Sequence, residues 1–311
     1  MKISMIVGAS ALALAAGLAS AQVNGQYKAA YGAPLALQTN ATGFGDAAGG
    51  DAFFANGSEL DGVYAYQSGG NLNLLFTGNL ETNYNKFNIF IDNGSGQGQN
   101  VLDNSTFFGL NGNFNGMRFD AAFAPTHFLS VTNGGGQSTP NGYGLFVNAA
   151  RTAGVGGNGA DGDYLGGNDG TTNGVLTGFG GNNFFNALVA VNNSNGAGVT
   201  GTGLGAPAGV LTGIEVQIPL ATLGVASING LKVAAFVNGG NFDYLSNQVL
   251  GGLPAGTGNL GGDGTGTFTG NVGGINFANF AGDQFVTLVP TPGVVSMLGL
   301  AGLAAARRRR A

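Results

Sequence analysis

Lys86-Phe87-Asn88-Ile89-Phe90-Ile91-Asp92 decides the fold class of this chain. In an extended backbone Phe87, Ile89 and Ile91 fall on one side and Lys86, Asn88 and Asp92 on the other, with Phe90 the exception on the polar side. A period of two predicts a half-buried β-strand, because a helix would need apolar residues three and four apart. The same alternation returns at residues 213–219, where Ile214, Val216 and Ile218 point inward against Glu215 and Gln217. It also appears in Met117, Phe119, Ala121 and Phe123 set against Arg118, Asp120 and Ala122, which predicts a strand there.

Working outward, shorter apolar runs at 63–66, 72–77, 126–131, 143–148, 231–237 and 284–289 read as further strands. Residues 184–191 form a more continuous apolar run, the pattern of a central strand. Turns are expected at 56–62 and 68–70, a single helical turn at 220–223, and loops with one edge strand over 22–56. Gly and Asn crowd between the runs, most densely at 149–183, 192–207 and 244–274, which is turn and loop chemistry. No helix longer than two turns and no strict repeat is predicted between residues 22 and 289. Many short strands separated by turn signals predict an all-β fold, an antiparallel β-sandwich or jelly roll with long Gly/Asn-rich loops.

Composition agrees. Gly makes up 62 of 311 residues, about three times the usual ~7%. Only 8% of residues are charged, yet 43% are hydrophobic and 22 are Phe, which separates the chain from disordered polar sequences and supplies a core. There is no Cys, so disulfides, thiolate metal sites and cysteine catalysis are excluded, and stability must come from packing or from bound ions.

The two ends have opposite designs. Residues 1–21 carry Lys2, an apolar stretch from Ile3 to Leu18 and the small residues Ala19-Ser20-Ala21, the layout of a cleavable secretory signal with the mature chain starting at Gln22. Residues 290–311 carry Pro290-Thr291-Pro292, an apolar run from Gly293 to Ala306, and Arg307, Arg308, Arg309 and Arg310. Fourteen helical residues would extend roughly 21 Å at ~1.5 Å each, short of the ~30 Å hydrocarbon core of a bilayer, so this short C-terminal hydrophobic helix is a marginal span. The arginines would remain on the cytoplasmic side, placing residues 22–289 outside the membrane. Of the ten basic residues, five (Lys2 and the four tail arginines) lie in these end segments; the five that remain face 15 acidic residues, a net charge near −10. That balance argues against nucleic acid as a partner.

The C-terminal layout resembles the PEP-CTERM sorting signal, in which a Pro-Glu-Pro-like motif, a short membrane segment and an Arg-rich tail are processed by an exosortase. Thr291 stands where that family usually has Glu. The resemblance covers residues 290–311 and implies signal peptidase and an exosortase-like enzyme as processing partners. A second resemblance, to secreted β-sandwiches grouped with DOMON and family-9 carbohydrate-binding domains, rests on three segments. These are Ser58-Glu59-Leu60-Asp61 leading into 72–77, then 87–92 with its Gly loop, and 213–220. It implies a sandwich over residues 56–289. Such sugar-binding domains commonly stack their ligand on Trp, and this chain has none.

Few residues suggest chemistry. His127 is the only histidine, and no Gly-x-Ser-x-Gly elbow surrounds a serine to pair with it. Met117 and His127 are the pair that a haem site would draw on. Glu59, Asp61, Glu81 and Glu215 are the carboxylates from which a glycosidase pair could come, although turn-capping or solvated roles account for them as well. Asp161, Asp163 and Asp169 sit in a Gly/Asn loop with oxygen ligands that suit calcium, but their spacings match no standard calcium loop and solvated turn residues are the preferred reading. Tyr27, Tyr64, Tyr66 and Tyr143 could present rings to a sugar or pack on the sheet. The sequence therefore leads to an exported cell-surface or extracellular-matrix protein without enzymatic activity. The alternative is a module that binds extracellular polysaccharide, and a third reading, a secreted hydrolase, requires two neighbouring carboxylates.

Overall fold

The computed structural model describes residues 23–47, 54–103, 112–139, 142–157, 164–168, 175–176 and 183–289. The two end segments, with Ala19, Ala21 and the residues from Pro290 to the Arg tail, lie outside the described residues, as do Asp161, Asp163 and Asp169. No helix among the described residues is long and apolar enough to cross a membrane.

The chain forms two antiparallel sheets. The strands in chain order are β1 (Ala36–Leu37), β2 (Glu59–Ser68), β3 (Asn71–Asn79), β4 (Lys86–Asp92), β5 (His127–Thr139), β6 (Gly142–Arg151), β7 (Tyr164–Asn168), β8 (Val175–Leu176), β9 (Leu188–Val191), β10 (Gly213–Pro219), β11 (Lys232–Asn238), β12 (Leu245–Leu250) and β13 (Val286–Thr287). The first sheet runs β1-β2-β3-β10-β9-β8. The second runs β12-β11-β4-β5-β6-β7, with β13 sharing the outer edge of β11. Helical structure among the described residues is confined to three-residue 3-10 turns such as Ala29–Tyr31 and Phe277–Asn279.

The inward residues read from the sequence meet between the sheets. Phe87, Ile89 and Ile91 of β4 and Ile214, Val216 and Ile218 of β10 share one buried cluster with Leu72, Leu74, Phe76, Leu129, Val131, Val233 and Val237. Burial on the other faces departs from expectation. Phe90, the exception in β4, is fully buried on the outer face of the second sheet. Its ring lies 4.9 Å from Phe119, 4.8 Å from Phe128 and 5.4 Å from Phe236, centroid to centroid. Residues 112–124 and 251–285 fold back over this face and carry Phe114, Met117, Phe119, Phe123, Phe277 and Phe285 into a phenylalanine-rich layer. β4 is therefore buried on both faces, not half-buried.

That layer explains an error in the sequence reading. Residues 117–123 are not a strand. Arg118 makes isolated bridges to Val101 and Asn276, and Phe123 N–H closes a turn onto Asp120 O at 2.9 Å. The alternating apolar residues there are the anchors of an irregular covering loop. Other boundaries also move. Residues 59–62, expected as a turn, begin β2, with a bulge between Leu60 and Gly62. Residues 245–250, expected as loop, are β12, and the run at 184–191 contributes only the four-residue β9.

The outer face of the first sheet is covered by the N-terminal segment. Tyr31, Tyr64, Tyr66 and Leu75 are buried together there, with Tyr27 packed against them. Glu215, expected outward beside Gln217, does point away from the inter-sheet core, but it is buried under this strap. Its carboxylate accepts Asn24 N–H at 2.8 Å, Gly25 N–H at 3.0 Å and Tyr31 O–H at 2.7 Å, and it pairs with Lys28.

Replacing Phe90 by Ala is expected to cost about 3–5 kcal/mol, because it removes the central ring of a closed layer. Urea unfolding should show a lower midpoint with an unchanged slope. Glu215→Gln should cost about 1–3 kcal/mol by weakening the charge-assisted bonds that seat the strap, and protease cleavage within residues 23–32 should rise with it.

Candidate functional site

Among the described residues, a cleft and a buried carboxylate pair bring polar groups together at opposite ends of the strands. At the end where β4, β6 and β10 finish and β5 starts, the loops enclose a cleft of about 370 Å³. Its lining includes Asn93, Ser95, His127, Arg151, Phe184 and Thr222. The Arg151 guanidinium lies over the Phe184 ring at 5.0 Å, a cation–π contact that holds both side chains at the rim. Asn93 is fixed by its amide bond to Leu223 O at 3.0 Å.

His127 reaches this cleft as a buried residue of β5. Its Nδ1 is 2.8 Å from Thr126 Oγ1, and its ring meets Phe185 edge-on at 5.7 Å. Ser95 shares the lining, but its hydroxyl accepts the Gln97 amide at 3.3 Å, and His127 Nδ1 is directed at Thr126. The arrangement supports a structural histidine. Met117 lies in the phenylalanine layer on the outer face of the second sheet, whereas His127 follows the inward phase of Leu129 and Val131. The sheet separates the two residues that a haem site would draw on.

The carboxylates take three different positions. Glu215 is held under the strap, and Glu81 is half-buried beside Asn85. Glu59 and Asp61 are neighbours at the start of β2, each with no exposed surface. The bulge leaves Asp61 without a partner on β3, since Leu60 opposes Gly78 and Gly62 opposes Thr77. Two loops close over this place. Thr42 N–H bonds Thr200 O at 2.9 Å, and Gly201 N–H donates to Asp46, so the 42–47 loop is tied to the 197–201 loop. Gly198 presses so closely that a Cβ there would lie 1.9 Å from Asp61 Oδ1.

The electrostatics follow from this enclosure. Burial first, then the neighbouring Asp61 charge, push the Glu59 carboxyl up to about 8; Asp46 adds to the rise and the Ala47 amide opposes it. Burial pushes Asp61 up to about 7, against the Val199 N–H that donates to its Oδ1 at 2.8 Å. Both oxygens of Glu59 and Oδ2 of Asp61 are buried and complete no hydrogen bond among the described residues. Among the described residues no three Asp, Glu or His side chains converge as a ready-made metal cage. Tyr64 and Tyr66, expected as sugar-facing rings, are buried under the N-terminal strap.

The sequence spacing of Glu59 and Asp61 was compatible with this pairing, since residues two apart in a strand share a face. Expecting a turn there hid it. Arg151 and Phe184 were missed because the cleft gathers loops far apart in the chain. Comparison with known protein families, curated proteins and solved structures returns no match.

The raised carboxyls predict a pH dependence with a definite sign. The folded chain retains protons that unfolded carboxyls release above their ordinary values of about 4.5 and 3.8. In metal-free buffer, stability should therefore be greatest in acid and fall as pH rises from about 4.5 to about 8. Denaturation midpoints across that range check this, and Glu59→Gln should flatten the fall.

Proposed function

We propose that this chain is an exported cell-surface or extracellular-matrix protein without enzymatic activity, delivered by residues 1–21 and sorted through its PEP-CTERM-like residues 290–311. The sandwich is its extracellular body. One observation supports this reading: among the described residues the core cluster ends at Leu288, just before the PEP-CTERM-like residues 290–311. Leu288 is fully buried and donates its N–H to Leu231 O at 2.7 Å, whereas the next residue, Val289, is 56% exposed. Pro290, which lacks a backbone donor and cannot extend the sheet, follows at once. Cleavage near Pro292 would then fall after the last described strand, β13.

A second reading is favoured by the cleft. Its volume lies within the ~300–1,000 Å³ range of small-ligand sites, and Asn93, Arg151 and the Phe184 ring supply the polar and apolar contacts that a saccharide unit uses. On this reading the body binds extracellular polysaccharide at the sandwich end and not through the buried Tyr64 and Tyr66. The hydrolase reading has less support. Its neighbouring carboxylates, Glu59 and Asp61, are sealed under two loops at the far end of the strands from the cleft.

Intact mass and terminal sequencing of protein recovered from the cell surface test the first reading. A start at Gln22 and an end near Pro292 are expected, and an intact arginine tail would overturn sorting. Arg151→Ala and Phe184→Ala should each abolish retention on extracellular polysaccharide if the cleft binds it, while leaving the thermal midpoint within a few degrees.

A further inference from the structure

We propose that Glu59 and Asp61 hold a divalent cation of the calcium class beneath the 42–47 and 197–201 loops. Three carboxylate oxygens, Glu59 Oε1 and Oε2 and Asp61 Oδ2, are buried there without a partner. Buried ionised carboxylates require a compensating partner, and the ion pair seen among the described residues, Lys28 with Glu215, is elsewhere on the sheet.

Protons and a cation are the two ways to meet that requirement. The groups that do point at the pair are donors. Val199 N–H bonds Asp61 Oδ1, and the Ala47 amide is directed toward Glu59; both favour the charged carboxylates. A cation satisfies all three oxygens at once. The surroundings determine its class: the pair offers oxygen only, the chain has no Cys, and His127 lies at the other end of the sandwich. Hard cations take such sets, and calcium completes its shell of about six to eight oxygens with main-chain carbonyls and water. Asp46, bonded to Gly201 N–H in the covering loops, adds negative charge nearby without being required as a ligand. The bulge at Asp61 and the tie between the loops thereby acquire a purpose: they bring two carboxylates together and close backbone over them.

The experiment uses the full chain, with calcium as the probe. At pH 7.5 the thermal midpoint should rise by about 5–10 °C between chelator and saturating calcium. Metal analysis after gel filtration should find calcium that is lost from the Glu59→Gln/Asp61→Asn double variant. That variant should melt at the same temperature in calcium and in chelator, while Asp263→Asn, which alters an exposed turn, should keep the full response. Should the double variant fail to fold, terbium supplies the second measurement. The chain has no Trp, so tyrosine excitation would sensitise terbium bound near Tyr64, and calcium should displace the emission. A midpoint indifferent to calcium and chelator, or a calcium response that survives in the double variant, would overturn the proposal.

Discussion

The constraint on which the structure depends is that both sheets are buried on both faces. A two-layer sandwich buries one face of each sheet and leaves the other to water, and strands then alternate cleanly. Here Phe90, Phe128 and Phe236 project from the second sheet on the side away from the inter-sheet core, and Tyr64, Tyr66 and Leu75 do the same on the first. Neither face could stay wet, so the chain builds two more layers from material with no regular secondary structure. The phenylalanine loops cover one side and the N-terminal strap covers the other. With no disulfide and 8% charged residues, these layers stand in for the covalent and ionic restraints that small disulfide-bonded domains use.

Loops packed in this way bury backbone that is not paired in a ladder, and each buried N–H and C=O needs a partner. Asparagine supplies many of them, because its amide offers the same donor and acceptor as a peptide unit. Asn193 accepts Leu80 N–H at 2.9 Å and donates to Leu80 O at 3.1 Å, acting as a missing strand. The Asn100 amide serves the carbonyls of Phe119, Asp120 and Phe123 within the covering loop. Asn247 and Asn259 link β12 to Ala41 and Gly43. The abundant asparagine thus fixes long loops as well as turning the chain.

This accounts for what was legible in the sequence. Strands β4 and β10 could be read because their inward residues alternate, and parts of β2, β3, β5, β6 and β11 as short apolar runs between turn signals; the all-β class followed from their number and spacing. The covering layers could not, since their apolar residues obey no period of their own. Residues 117–123 happen to alternate and imitate a strand, while β12 places Ser246, Asn247 and Gln248 in succession and imitates a loop. Those three polar residues are buried because Gln248 accepts Leu60 N–H and Asn247 holds the 42–47 loop, contacts between segments some 200 residues apart. The candidate site was half legible: Glu59 and Asp61 were singled out as residues, but their pairing depended on a strand start that looked like a turn.

The two buried acidic positions of the first sheet show how differently this chain treats negative charge. Glu215 is enclosed with donors that match it: two backbone amides, a tyrosine hydroxyl and the Lys28 ammonium. Its burial fastens the N-terminal segment to the sheet and is complete within the chain. Glu59 and Asp61 are enclosed as tightly, yet three of their four oxygens have no hydrogen-bond partner among the described residues. Their loops bond to each other, so the enclosure is built rather than collapsed by chance. Carboxylates withdrawn from water and left unmatched in one place, in a chain that matches them fully in another, indicate that the complement to their charge comes from outside the sequence. The stability of this end of the sandwich is then set by the ionic composition of its surroundings.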